Sequence, residues 1–554
     1  MTEHRTPTAA ALRLPRRSIL QLALAGGAGV PLLGTRARAQ GKPKPAGQVV
    51  IGISQEPTVF NPLLPHIEVD DAVHMSLFSP LWAVDPKGNF LPRLAAEVPT
   101  VANGGVSEDG LQWRVKLRGD VKWHDGKPFT AEDVKFTLDL INDPNFPAGT
   151  RSGHELVRDL KVTGPNEVSW RLDKPFSPYA SILAWTFIMP QHLLAGQADP
   201  RSSPFLRAPV GTGPFKWSER VPGDHITLVA NEAYFDEGPY LERVVFKYIP
   251  DLTVLYTQFR TGDIDYISLQ GITADHYSEA KALPNRVIMP NPTASIENFY
   301  FNLGLPQFKD PAVRQALYMS LDKASIINDL YYGLPRPTES YLPPASWAFD
   351  PELPKQVYDP ERAKAMLDGA GWKPGRGGIR EKDGVKLQFS NSTTAGNHLR
   401  EQVQQLLQQN WQDLGVAMTI KNLPAAVMWG EYWIQSKFET AIVGNNFMTG
   451  PDPAADDYFS SKAIAAQGGS GTNTMQYVNP QLDALMQQGA ATLDRAKRIE
   501  AYRGVQSVLR QNLPFLPIFE YVLVEGLKTG LTGYQPNINV RINAWNLNTW
   551  RWTT

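Results

Sequence analysis

The chain has 554 residues, 42% of them hydrophobic and 20% charged, with a formal net charge of −1 and no cysteine. That length exceeds what a single core organises and predicts two or three domains. The missing cysteines exclude disulfides, thiol catalysis and thiolate metal centres, and the lack of basic excess excludes nucleic acid as a partner.

The first segment reads as an export signal. Pro15-Arg16-Arg17-Ser18-Ile19-Leu20 opens an apolar run ending near Leu33, and Ala37-Arg38-Ala39 places small residues where a signal peptidase reads them. Cleavage is expected after Ala39. The paired arginines resemble the twin-arginine signal, although Ile19 and Gln21 stand where that pattern usually carries Phe and Lys. The run is short of the ~20 apolar residues that span a bilayer, so the product is expected to be periplasmic and soluble rather than membrane-anchored. Residues 1–39 hold six arginines and one glutamate, so their removal takes the net charge to about −6.

Gln48 to Ile53 is apolar and rich in β-branched residues and ends in Gln55-Glu56-Pro57, which predicts a core strand entering a functional loop. Further strands are expected at His225 to Ala230, Arg243 to Ile249, Asn298 to Leu303, Val416 to Leu423 and Pro517 to Val524. Helices are announced by their caps, because Asp or Asn accepts a bond from a free N–H while a following proline needs none. Asp310-Pro311, Asp359-Pro360 and Asn479-Pro480 have this form, and Thr130 with Asp133 makes a capping-box variant before the stripe Val134, Leu138, Ile141. The mixture is α/β throughout.

Ser107 to Leu138 reads SEDGLQWRVKLRGDVKWHDGKPFTAEDVKFTL, and PVGTGPF (209–215), NEAYFDEGP (231–239), FNLGLPQFKDPAVRQALYMSLD (301–322) and YDPERAKAMLDGAGW (358–372) follow in order. On these residues the chain resembles the family 5 extracellular solute-binding proteins, the dipeptide- and oligopeptide-binding components of ABC importers. The resemblance implies a two-lobed periplasmic-binding-protein fold of type II with an extra inserted domain. Domain I would comprise residues 40–81, 208–292 and 515–554, the inserted domain II residues 82–207, and domain III residues 293–514. The ligand cleft would lie between domains I and III and close by hinge motion. The resemblance further implies a small-molecule or peptide ligand, ABC permease subunits as partners, a monomer, no cofactor and no catalysis.

It places part of the pocket between a helix beginning near Trp429 and the loop after a strand at Glu439 to Val443. Seven aromatics crowd this stretch, and about half are expected to be core. Trp429 and Phe447 are the preferred ligand contacts, with Tyr432, Asn446, Met448, Thr449, Gly450 and Asp452 beside them. In dipeptide-binding members this loop carries an aspartate for the peptide ammonium; aligning Asp452-Pro453 puts Thr449 there and Asn446 at a preceding tryptophan. Thr449 cannot neutralise a cation, so a free dipeptide is disfavoured unless Asp452 or Asp456 compensates. From domain I, Glu56 and Asn61 approach the cleft, Glu56 serving either as a contact or as a brace for its turn.

No resident metal is expected, because the nine histidines form no HxxxH or similar cluster, and His66 and His74 read as ordinary surface residues. His124-Asp125 reads as a structural corner, and Gly211-Thr212-Gly213-Pro214 as a hinge-proximal turn lacking the lysine of a phosphate loop. The competing readings are an exported hydrolase using carboxylates such as Glu56, Asp452 and Asp456, and a chaperone or sensor on the same fold. The absence of a nucleophile motif weighs against the hydrolase.

Overall fold

The computed structural model describes residues 42, 44–197, 203–448, 450–469 and 471–553, the side chains of Gln270 and Ala426 excepted. The export signal and its cleavage point lie outside the described residues, as does Thr449. The first half of the chain supplies β1 (Gln48–Ile53), α1 (Glu68–Leu77), β2 (Gln112–Lys116), α2 (Ala131–Asn142), β3 (Val157–Gly164), β4 (Glu167–Leu172), β5 (Phe215–Val221), β6 (His225–Ala230), β7 (Arg243–Tyr248) and β8 (Tyr266–Ile272). The second half supplies β9 (Arg286–Phe301), α3 (Pro311–Met319), α4 (Pro360–Gly369), β10 (Gln388–Ser392), α5 (His398–Gln412), β11 (Ala417–Ile420), β12 (Thr440–Asn446), α6 (Pro480–Ala490), α7 (Arg495–Asn512) and β13 (Phe515–Lys528).

The expected caps are in place. Asp310, Asp359 and Asn479 accept bonds from Ala312 N, Arg362 N and Leu482 N, and Asp133 accepts from Thr130 N at 2.9 Å. One sheet runs in the order β11-β10-β12-β9-β13-β8-β1-β7-β6-β5, with Arg336–Pro337 added against β13. Strand β1 lies between parallel partners β7 and β8, which is why it reads as an unbroken apolar run. A separate antiparallel sheet, β2-β4-β3, packs on α2, where Trp113 and Trp170 stack at 6.0 Å.

Strands β9 and β13 pair from Arg286 opposite Lys528 to Tyr300 opposite Phe515, with the register shifting between Pro292 and Ile296 and again between Glu297 and Asn298. At one end Val524 and Leu527 pack with the core around β1 and β8; at the other Leu516, Ile518 and Phe519 pack with Phe299 and Trp411. The pair therefore joins the two lobes. Both strands run longer than the apolar segments that announce them, since Arg286 to Pro292 alternates exposure and carries two prolines. Strand β11 is shorter than expected, stopping at Ile420 where the chain becomes exposed.

Arg400 on α5 holds this pair from one side. Its Nε and Nη2 donate to the two oxygens of Glu297 on β9 at 2.7 and 2.8 Å, and Tyr521 on β13 donates to Glu297 Oε2 at 2.7 Å. The two charged side chains are only 8% and 2% exposed. Replacing Arg400 by leucine strands a buried carboxylate and should cost about 3–5 kcal/mol in urea unfolding, while leucine at both positions should recover much of it.

His154, 2% exposed, lies between Tyr179 Oη and Thr186 Oγ1, and burial pushes its pKa down to about 4. Unfolded histidine titrates near ~6.5, so below that pH the unfolded chain gains a proton the native chain refuses. Stability should fall from pH ~6.5 and level off below ~4, with a loss on the order of 3 kcal/mol from this residue. Calorimetry across that range, with His154→Gln showing the shallower decline, measures it.

Candidate ligand-binding cleft

The loop between β12 and α6, and the end of α6, meet the stretch from Val84 to Trp185. A Cβ on Gly450, whose φ is +58°, would lie 3.4 Å from Trp185 Nε1 and 3.5 Å from Val84, and Ser177 N donates to Ala490 O at 2.8 Å. A cavity of about 380 Å³ crosses this boundary, lined by Lys87 and Ser177 on one side and Trp347, Met448, Asp452 and Arg495 on the other. Of the expected site residues, the structure brings Met448 and Asp452 to it.

Asp452 is not free to meet a ligand charge. It is 4% exposed, and Arg498 Nη2 donates to both of its oxygens at 2.9 and 2.8 Å. It also accepts from Ala454 N at 3.0 Å, fixing the turn that follows Gly450. Asn446 is the last residue of β12 rather than a loop residue, and its Oδ1 accepts from Met448 N at 3.0 Å. Phe447 is 1% exposed and stacks on Phe459 and Phe515, so its ring belongs to the core and only its main chain can face a ligand. Trp433, Phe438 and Phe459 are buried with it, whereas Trp429, Tyr432 and Tyr458 are half-buried. Trp429 follows a single helical turn at Ala425–Met428, and its ring packs edge-on to Trp433; Tyr432 is tied to Ser392 Oγ at 3.0 Å.

On the opposite lobe, Glu56 accepts from Arg220 Nη2 at 2.6 Å, and Asn61, 1% exposed, accepts from Leu63 N at 3.0 Å. Both geometries are those of braces. His124 accepts from Gly211 N and bonds the Gly213 carbonyl, while Asp125 pairs with His192 at 2.7 Å. These two neighbours therefore face different partners. A Cβ on Gly211 would lie 1.8 Å from Leu77 O, so this turn is pressed against the end of α1 and offers no phosphate cradle.

Sequence reasoning passed over Arg541, in the Asn-rich segment after β13. Its Nη1 lies 3.7 Å from Asp71 Oδ2 on α1, and Asp71, Tyr458 and Glu68 together hold its pKa above the ordinary value despite desolvation. Tyr458 belongs to the other lobe, so Arg541 stands where the lobes face one another. Its side chain is 49% exposed, and the protein around it works against the charge that Asp71, Tyr458 and Glu68 favour. Glu68 shares this character: it is exposed, and burial pushes its pKa up to about 7, with Asp71 adding to the shift and Arg541 opposing it. Asp456, half-buried, is pushed up to about 6 by burial and by the adjacent Asp457. A lone arginine in a loop of asparagines was the available signal.

His74 is not a surface residue either, and His66 is only part-exposed. His74 is fully buried inside α1 because positions 69, 73 and 77 of that helix face the core with it, and His66 turns back over the first turn to reach Asp71 at 2.9 Å.

The family model for bacterial extracellular solute-binding proteins, family 5 middle, matches residues 89–467. The oligopeptide-binding protein AppA of Bacillus subtilis is 30% identical over 93% of this chain and 93% of its own length. The structure of AppA in complex with a nonapeptide superposes with a TM-score of 0.83 at 29% identity, covering 93% of this chain and all of that one. NikZ from Campylobacter jejuni in complex with Ni(L-His) gives 0.82 at 27% identity, covering 92% and all of that chain. The chain belongs to the family 5 extracellular solute-binding proteins, with their two-lobed fold, and is a binding component of ABC import. Among the described residues no helix is long and apolar enough to cross a membrane.

If Asp452 braces the loop instead of binding ligand, Asp452→Ala should cost about 3–5 kcal/mol of unfolding free energy by leaving Arg498 buried and unpaired. Asp452→Asn should give a smaller loss of the same kind. Denaturant titration of both variants measures this.

Proposed function

We propose that this protein captures a peptide or other small polar solute bearing an anionic group between its lobes and delivers it, chemically unchanged, to the permease of an ABC importer. Arg541 carries the reading. It presents a desolvated guanidinium at the meeting of the lobes, and among the described residues its sole ion pair is the loose 3.7 Å contact to Asp71. A bidentate carboxylate would use the remaining donors. An ammonium has no dedicated anchor in the loop, since Asp452 is committed to Arg498; Glu68 and Asp456 remain as carboxyls available to N–H donors.

Closure would bend the β9–β13 pair at the register shift between Pro292 and Ile296, where ladder bonds are interrupted. The hydrolase reading is weakened because Glu56 and Asp452 are both held in ion pairs with arginines. Export with cleavage after Ala39, a monomeric state, and the three-domain division at residues 82, 208, 293 and 515 complete the proposal.

A thermal-shift screen against peptides, sugars, amino-acid conjugates and chelates identifies the solute, because a ligand that favours the native form raises its melting temperature. Arg541→Ala should weaken binding of an acidic hit by about 10–100-fold, from the ~1.5–3 kcal/mol of a charge-assisted contact. Its amide analogue should be nearly indifferent to the substitution. Equal losses for acid and amide would remove the anionic requirement, and consumption of the hit would reopen hydrolysis.

A further inference from the structure

The segment leading into α1 and the helix itself bring His66, Asp71 and His74 together, with one donor atom of each within 4.8 Å of the others. His66 Nε2 lies 2.9 Å and His74 Nδ1 3.7 Å from the same oxygen, Asp71 Oδ1. The two imidazole rings stand at 85° to one another, 4.8 Å apart.

The hydrogen bonds behind these rings fix which nitrogen carries the proton. His66 Nδ1 meets Leu64 O at 2.8 Å, and His74 Nε2 meets Val59 O at 2.7 Å. A carbonyl can only accept, so each of those nitrogens donates. In each neutral ring the other nitrogen is therefore a bare lone pair, and both lone pairs converge on a carboxylate oxygen that also only accepts. A proton on His66 Nε2 relieves one of these contacts and no more. It leaves His74 Nδ1 and Asp71 Oδ2 without a hydrogen-bond partner among the described residues, although His74 is 0% and Asp71 2% exposed. Orienting a ring by an N–H to carbonyl bond on its far side is how histidine ligands of metals are held.

We propose that His66 Nε2, His74 Nδ1 and Asp71 Oδ1 form a binding site for a divalent transition metal of the zinc, cobalt or nickel class. Metal–nitrogen and metal–oxygen bonds of about 2.0–2.2 Å put ligand atoms on the order of 3.0–3.5 Å apart; the 2.9 and 3.7 Å separations to Asp71 Oδ1 already lie close to that, and since the three ligand atoms lie within 4.8 Å of one another, the widest gap would close by no more than about 1–2 Å on binding. Two imidazoles and one carboxylate suit those ions better than calcium or magnesium, which favour all-oxygen sets. The charges at hand permit it: Asp71 and Glu68 are carboxyls, and Arg541 approaches the other oxygen of Asp71, leaving Oδ1 to the metal. The site shares Asp71 with the Arg541 contact of the anionic-ligand reading but uses its other oxygen, and its three ligands come from one lobe.

The test uses the full protein stripped of metal with a chelator and titrated with Co(II) or Zn(II) alone, without any organic solute. One equivalent of Co(II) should bind and develop visible absorption of a nitrogen- and oxygen-ligated ion. His66→Ala and Asp71→Asn should each lower affinity by about tenfold to a hundredfold or more, with His66→Ala still melting cooperatively in the metal-free state, at a somewhat lower temperature because the bond to buried Asp71 is lost. His66 is the better probe because its side chain is part-exposed, whereas buried His74 could fail to fold when replaced. Failure of the wild-type protein to take up an equivalent, or uptake undiminished in both variants, would overturn the proposal; the ion would then belong to another pair, such as His192 with Asp125.

Discussion

Everything that this protein does as a two-lobed molecule passes through the antiparallel pair β9 and β13. The same two strands contribute Leu527 and Val524 to the first lobe's core and Leu516, Phe519 and Phe299 to the second. A connection made of paired strands is stiff to twist and shear but can bend where the ladder is interrupted, and the interruption here falls between the lobes. The bidentate Glu297–Arg400 contact sits just beyond it, on the second-lobe side. Gly444 on β12 completes the arrangement: a Cβ there would come within 2.7 Å of the Tyr521 ring and 3.2 Å of Glu297. A buried charge pair of this kind adds little net stability over apolar packing, but it forbids alternative registers, since a slip would leave a charge unpaired. A second shift of register falls at Glu297 itself, between Glu297 and Asn298, so the ion pair sits at the end of the interrupted stretch.

Much of this architecture was legible in the sequence because the relevant signals are local. Asp-Pro and Asn-Pro dipeptides specify helix starts through one hydrogen bond each, and all three did so here. Strand β1 was legible to the residue because it lies between two parallel neighbours and, past exposed Gln48, its side chains from Val49 to Ile53 are apolar or small. The crossing strands were legible only in part. Their apolar halves lie in the second lobe, while Arg286 to Pro292 pairs at the boundary with mixed exposure and so shows no clean alternation.

The site was less legible, for a physical reason. A cleft side chain is defined by what faces it across the fold, and Arg541 acquires its setting from Asp71 and Tyr458, some 470 and 83 positions away in sequence. The aromatic stretch near Phe447 was visible as composition, but composition does not distinguish a ring stacked on Phe459 and Phe515 from one turned to solvent. Asp452 illustrates the same ambiguity for charge: its partner Arg498 lies on α7, more than forty residues on, and decides that the carboxylate is a brace. The spacing of eight between His66 and His74 matches no helical ligand motif because only His74 is on the helix; Asp71, one turn earlier, is what joins them.

Asp71, buried on α1, joins the histidine pair to Arg541. Its two oxygens address different neighbours, Oδ1 the pair of imidazoles and Oδ2 the guanidinium of Arg541. Burial works against its negative charge, and the hydrogen bond from His66 with the adjacent cation outweighs that penalty, holding the carboxyl well below the usual range. It therefore remains ionised under any condition in which the protein is folded at moderate pH. A fixed buried anion behind Arg541 sets where that side chain rests while tying it by an ion pair too long to be a hydrogen bond. The guanidinium is thus positioned without being saturated. On the proposed role of Arg541 that combination suits solute capture, because a donor fully satisfied within its own lobe would have nothing left to offer a ligand.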